Sequence, residues 1–185
     1  MMKLLKVFLI IVSSGLFFTF TIGGCRSNKK NNRTENINPA KYKKTFEGIN
    51  RYLEKDYAKQ IKLYVKRHNW NMTEKKTGIW YEIYYHGKGP KVESGDMVDI
   101  SYDVYLLDGT LCYSSDSLGT KRFVVGSSND VESGLDEGML MLHEGDKARF
   151  IFPPYRAHGL LGDDNKIPPL SIILYYVEVL KVYKK

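Results

Sequence analysis

Cysteine is scarce in this chain: two residues, Cys25 and Cys112, in 185. Two cysteines close at most one disulfide, so a disulfide framework is excluded. Neither stands at metal-ligand spacing, and the four histidines, His68, His86, His143 and His158, are scattered without a cysteine cluster. A structural zinc site is therefore not expected. No serine, histidine and acid stand in the arrangement of a nucleophilic hydrolase. Long apolar runs are missing too, apart from Val7 to Ile22, which is too short for a comfortable membrane span.

Acidic charge is sparse in one part of the chain and plentiful in the other. Arg26 to Lys76 holds 15 Lys and Arg against 5 Asp and Glu, whereas Thr77 to Lys185 holds 11 against 16. The formal charge of +7 therefore splits into a basic first part and an acidic second part. A pI of about 9.2 would normally suggest nucleic acid as a partner. Here the basic charge lies outside the segment that carries the site, so nucleic acid is not expected.

The N-terminus reads as an address. Lys3 and Lys6 precede the apolar run, which ends Ile22-Gly23-Gly24-Cys25. Small residues directly before a cysteine resemble a bacterial lipobox, in which the cysteine is lipidated and becomes the new N-terminus. The alternative is an ordinary signal peptide or an uncleaved anchor with an incidental cysteine. With Cys25 lipidated no intramolecular disulfide remains, and Cys112 reads as a buried structural thiol. This gives residues 1–24 as a lipoprotein signal peptide and 25–38 as a disordered tether, polar and rich in Asn. Residues 39–76 follow as a basic helix and linker, and 77–185 as the folded domain. Asn38 would cap the helix and Pro39 open it. Phe46, Ile49, Leu53, Tyr57, Ile61 and Tyr64 or Val65 recur at helical steps to about His68. That stripe would bury against the domain or against a second copy of the chain, as a homodimer seam; a membrane-lying helix is the third option.

Within the domain, period-two patterns mark strands at Ile79 to Tyr85, Met97 to Leu106, Leu111 to Ser115 and Arg122 to Val125. Asp108-Gly109 signals a hairpin, and Asp116 to Thr120 reads as a loop. The organising stretch is Val131 to Pro154. Ser133 is read as the cap of a short helix, with Asp136 and Glu137 in its first turn. Leu135, Met139 and Leu142 lie on its apolar face. Glu144-Gly145-Asp146 turns the chain into a strand, Lys147 to Phe152, ended by Pro153-Pro154. A polar, glycine-rich loop then leads to a nearly continuous apolar strand, Leu170 to Val182, expected to be central. The fold class is α+β: an antiparallel half-barrel sheet wrapped around one short helix, preceded by a long N-terminal helix.

The domain resembles the FKBP-type peptidyl-prolyl isomerases. The motifs are Ser94-Gly95-Asp96-Met97-Val98 and Asp108-Gly109-Thr110 with Ser114-Ser115. Phe123-Val124-Val125-Gly126 and Gly134-Leu135-Asp136-Glu137-Gly138-Met139 come next. Gly145-Asp146-Lys147-Ala148-Arg149, Ala157-His158-Gly159, Ile167-Pro168-Pro169 and Val177-Glu178-Val179-Leu180 complete the set. They stand in the family's order over about Lys91 to Lys181. The lipobox, the basic helix and the Trp80 strand look like the gliding-motility-associated FKBP lipoproteins of Bacteroidetes.

The resemblance implies an aromatic pocket. Turning an X–Pro bond means breaking amide resonance, a barrier of about 18–20 kcal/mol, and takes tens to hundreds of seconds uncatalysed. A site that strips water from the prolyl carbonyl favours the twisted amide, which has less charge separation. It needs no cofactor, metal or nucleophile. By the resemblance Tyr102, Phe123, Val131, Leu135, Ile167 and Tyr175 line the pocket. The backbone N–H of Glu132 would hold the substrate carbonyl, and His158 would meet the substrate backbone. By composition alone Tyr102, Phe123 and Tyr175 would be sheet core, and His158 a loop residue facing solvent. Three positions depart from the family. Cys112 replaces a phenylalanine, and Tyr113 replaces an aspartate whose polar contact is lost. His158 replaces a tyrosine and can donate the same hydrogen bond, but it also titrates.

The expected function is a lipid-anchored prolyl cis–trans isomerase acting on X–Pro segments of exported polypeptides and assisting their folding. Its place would be the cell envelope, anchored through Cys25, most naturally on the periplasmic face of an outer membrane. The alternative is a binding or chaperone module with a catalytically weak pocket.

Overall fold

The computed structural model describes residues 39–127 and 130–185. Expectations for 1–38, including the lipidated Cys25 and the Asn38 cap, fall outside the described residues. Pro39 to Lys185 form one compact unit. Helix α1 is Pro39–Arg67. Six strands and two short helices follow before the last strand: β1 Thr73–Glu74, β2 Trp80–Tyr85, β3 Met97–Leu106, β4 Leu111–Ser114, α2 Ser115–Leu118, β5 Lys121–Val124, α3 Ser133–Met139 and β6 Lys147–Phe152. A 3₁₀ turn, Pro154–Arg156, opens the loop to β7, Ile173–Tyr183.

The sheet runs β1-β2-β6-β7-β3-β4, and β5 also pairs with β3. All pairings are antiparallel. The last strand is central as expected: β7 joins β6 on one side to β3 on the other. Because side chains alternate along a strand, β7 feeds two layers. Ile173, Tyr175, Val177 and Val179 enter a core with α3, while Leu174 joins a second core under α1. Leu135, Met139 and Leu142 are fully buried against Phe150 and Phe152, which is the packing expected of the organising stretch. Gly134 permits that approach: a Cβ there would stand 2.7 Å from the Phe152 ring and 2.8 Å from the Arg156 carbonyl.

On the outer face Tyr57, Ile61, Tyr64 and Val65 of α1 pack against Trp80, Ile151, Ile172 and Leu174. The helix thus docks on its own domain. Phe46 and Ile49 continue the stripe in sequence but are exposed, because this half of the helix runs beyond the sheet residues that could cover it.

Several elements differ from the sequence reading. Helix α3 starts at Ser133, so the cap is Glu132, and it makes no side-chain capping bond. The Glu132 carboxylate is held by Tyr175 and His158 instead. Leu142 lies just past the helix end. Thr73–Glu74, read as linker, adds an edge strand to Trp80 and Tyr81. Ser115–Leu118, read partly as strand and partly as loop, is a helical turn. The Ser114 hydroxyl accepts from the Asp116 N–H at its start. The final strand begins at Ile173, because Leu170 takes φ 60° and leaves the ladder. The Asp108-Gly109 hairpin is present, with Gly109 at φ 92° and the Asp108 carboxylate accepting from the Thr110 N–H at 2.9 Å.

Candidate active site

The face of the sheet that packs on α3 gathers residues singled out from the sequence. Phe123 on β5, Leu135 on α3, Ile167 before β7 and Tyr175 on β7 are buried in one cluster. Tyr102 on β3 and Val131 ahead of α3 pack against it, partly exposed. The ring centroids of Tyr102 and Tyr175 are 6.4 Å apart, and those of Phe152 and Tyr175 are 5.6 Å apart. Phe152 is a wall residue that the sequence reading placed only in a strand. Its signal was its register: Phe152 pairs with Ile173, two residues from Tyr175.

Two polar residues close one side of this apolar cluster. The Tyr175 hydroxyl donates to Glu132 Oε1 at 2.9 Å. His158 Nε2 lies 2.9 Å from the same oxygen, an ion-pair contact with both side chains largely covered. The other carboxylate oxygen, Oε2, is buried without a hydrogen-bond partner among the described residues. Burial pushes the Glu132 carboxyl up, but the His158 and Tyr175 contacts outweigh it and hold the group below its ordinary value. The same contact raises His158 above its ordinary value, against the opposing effect of burial. Burial, then the Glu132 charge, push the Tyr175 phenol well up, so it stays a donor. Glu132 was singled out for its backbone N–H alone. Its side chain ties helix α3 to the loop that carries His158.

That loop is held at a second point. The Tyr113 hydroxyl donates to Asp163, whose carboxylate also accepts from the N–H groups of Asn165 at 3.0 Å and Ile167 at 2.7 Å. A carboxylate expected at 113 is thus met by one from the loop. The polar contact is present with its partners exchanged. Asp163 was missed because its partner lies 50 residues away; the only local signal was an Asx-type turn in a glycine-rich loop. Cys112 is buried, its Sγ 3.6 Å from the Lys166 carbonyl. Burial raises its thiol above the ordinary value, which disfavours the reactive thiolate. Arg156 bonds the Ser133 carbonyl at 3.2 Å and pairs with Glu137, fixing the opposite flank of α3.

What this arrangement offers is an aromatic and aliphatic surface with no acid–base relay aimed at a nucleophile. Its polar groups meet at the rim, where Glu132 Oε1 is shared by Tyr175 and His158 and Oε2 is left without a partner among the described residues.

A profile of the family described as FKBP-type peptidyl-prolyl cis-trans isomerase matches residues 89–180. A probable FKBP-type peptidyl-prolyl cis-trans isomerase of Haemophilus influenzae is 33% identical over 109 residues, 59% of this chain and 44% of that protein. Peptidyl-prolyl cis-trans isomerase FKBP9 of Homo sapiens is 32% identical over 90 residues, 49% of this chain and 16% of that protein. The chain thus spans less than half the length of these curated relatives. The crystal structure of FkpA from Escherichia coli superposes with a TM-score of 0.60 at 27% identity, covering 78% of this chain and 69% of that one. Profile, relatives and superposition converge on the segment that builds the α3 cluster: through residues 89–180, this chain belongs to the FKBP-type peptidyl-prolyl cis-trans isomerase family.

Proposed function

We propose that the protein is a prolyl cis–trans isomerase acting on X–Pro segments of exported polypeptides, tethered to a membrane through a lipid on Cys25. The observation that carries the catalytic part is the gathering of Tyr102, Phe123, Leu135, Ile167 and Tyr175 on one face of the sheet around α3. Such a surface removes water from a prolyl amide without offering it a charge in the apolar interior. The planar amide loses more solvation than the twisted one, so the barrier falls. Val131 flanks the cluster, and the Glu132 N–H would take the carbonyl preceding proline. With Nε2 turned to Glu132, His158 can offer a substrate only its other ring nitrogen.

The anchoring part is supported by the lipobox-like Ile22-Gly23-Gly24-Cys25 and the polar residues that follow. The narrower likeness to gliding-motility-associated lipoproteins rests on the same features. The reading places the protein in the cell envelope, on the periplasmic face of an outer membrane. The exposed Phe46 and Ile49 on α1 support pairing with a second copy.

A second reading, a module that grips prolyl segments with little turnover, is favoured by the Glu132 carboxylate at the rim, where it holds His158.

Protease-coupled isomerisation kinetics on the full chain separate the two. The first reading expects acceleration of X–Pro peptides, with kcat/KM falling about tenfold or more in Tyr102→Ala, equivalent to roughly 1.4 kcal/mol. Absence of acceleration in the parent, with peptide binding retained, would overturn it in favour of the second. Metabolic labelling with an alkynyl fatty acid, with Cys25→Ser beside it, tests the anchor; equal labelling of both would refute it.

A further inference from the structure

The outer face of the sheet carries a row of paired residues running strand to strand. Glu82 stands opposite Arg149, Arg149 opposite Tyr176, Tyr176 opposite Asp103. The first half of this row holds its cation as a charge contact. Arg149 pairs with Glu82 at 3.0 Å, and its guanidinium lies 4.3 Å from the Trp70 ring centroid and 5.3 Å from that of Tyr84. A cation is therefore held between a carboxylate and aromatic faces, each of which attracts positive charge.

The second half of the row has the same parts without the cation. Asp103 is half-buried, and among the described residues its carboxylate takes part in no ion pair. Tyr176 stands directly across from it, with Tyr105 packed edge-on to Tyr176 at 5.9 Å. Trp70 meets Tyr176 edge-on from the other side at 6.4 Å, and Tyr64 of α1 meets Trp70 at 5.6 Å. These residues, with Leu174 beneath, line a recess of about 460 Å³ that opens on the face opposite Tyr175. Burial, then the neighbouring Asp103 carboxylate, hold the Tyr105 phenol above its ordinary value.

We propose that this recess binds the guanidinium of an arginine side chain presented by a partner polypeptide. The Glu82–Arg149–Trp70 arrangement is the internal template, and Asp103 with Tyr176 and Tyr105 supplies the matching half that lacks its cation. Guanidinium suits the site better than a compact ammonium, because it stacks on a ring while its edge bonds a carboxylate. A polypeptide suits it better than a free small molecule. Beyond the Asp108-Gly109 rim lies a second depression lined by Leu63 and Leu107, apolar surface for the residues beside the arginine, with Lys66 and Arg67 at its side to disfavour further basic residues. Among the described residues, neither His68, which also lines the recess, nor Arg67, 5.9 Å from the Tyr64 ring centroid, makes an ion pair with Asp103.

The test is calorimetric titration of the full chain with a Gly-Arg-Gly peptide capped at both ends, its citrulline counterpart, free arginine and tetramethylammonium. The arginine peptide should bind saturably, about tenfold or more tighter than the uncharged citrulline peptide and at least as tightly as free arginine. Asp103→Asn, which keeps size and fold, should remove most of that difference and leave X–Pro isomerisation unchanged. Tyr105→Leu should weaken binding as well. Equal affinity for arginine and citrulline peptides, or undiminished binding in Asp103→Asn, would overturn the proposal. So would tighter binding of tetramethylammonium, which would point to a lipid headgroup, or of free arginine, which would point to a small molecule. Binding that appears only in Arg67→Ala would overturn it too, by giving the recess to the chain's own arginine.

Discussion

Glu132 and His158 illustrate how a single pair sets the pH response of a site. Glu132 titrates below its ordinary value of 4.5 in the folded chain, and His158 above its ordinary 6.5. The carboxylate's contribution to stability is present above 4.5 and is lost as pH falls through its lowered folded value. The imidazolium's contribution is present below 6.5 and is lost as pH rises through its raised folded value. Their joint contribution is therefore largest between about pH 4.5 and 6.5. Glu132→Gln should cost about 1–2 kcal/mol in that window and less on either side, read as the difference in urea midpoint across a pH series. A difference independent of pH would refute the ion pair. Tyr113→Phe tests the neighbouring anchor. It removes the hydroxyl that holds Asp163 while leaving the ring in place. The Ile167 N–H, bonded to that carboxylate, should then exchange with solvent roughly fivefold faster, corresponding to about 1 kcal/mol. Neither pair was legible in the sequence. Tyr113 and Asp163 are separated by 50 residues, and the whole of β6 lies between Glu132 and His158. Tyr102, Phe123 and Tyr175 could be placed only because motif order assigned them; as letters in a strand they match any buried aromatic.

Among the elements, α3 and β6 were the most readable, because Leu135 and Met139 repeat at helical spacing and Ala148, Phe150 and Phe152 alternate. Every one of these side chains is fully buried. The cap was misread for a reason of competition: Ser133 has the preferred side chain, but Glu132 is fixed by tertiary partners and the helix starts after it. Two-residue β1 and the turn Ser115–Leu118 carry no periodic signal, and β1 exists only through its pairing with Trp80 and Tyr81. The closeness of α3 to β6 yields a prediction at this scale. Gly134→Ala adds a methyl group 2.7 Å from the Phe152 ring and 2.8 Å from a backbone carbonyl. Although alanine favours helix, the overpacking should dominate and destabilise the chain by about 1–3 kcal/mol in a urea melt. An unchanged midpoint would mean that the helix can shift off the sheet.

At the largest scale, the unit Pro39–Lys185 is a sheet with a helix on each face, α3 inside and the second half of α1 outside. Half of the α1 stripe was legible as a buried face. Phe46 and Ile49 follow the same spacing but stay exposed, since periodicity marks a face and not what covers it. If α1 is integral to the folding unit, Ile61→Ala should lower stability by about 2–4 kcal/mol. Helix content and tryptophan fluorescence should still fall in one shared transition. Separate transitions would make α1 an appendage. The order of the sheet has a further consequence, which concerns synthesis. Strands β3 and β6 are not neighbours until β7, later in the chain than both, slides between them. A nascent polypeptide emerging N-terminus first therefore holds its two halves apart, however much of the chain is already made. Closure waits for the last strand, and until then the apolar faces that β7 will join stay open.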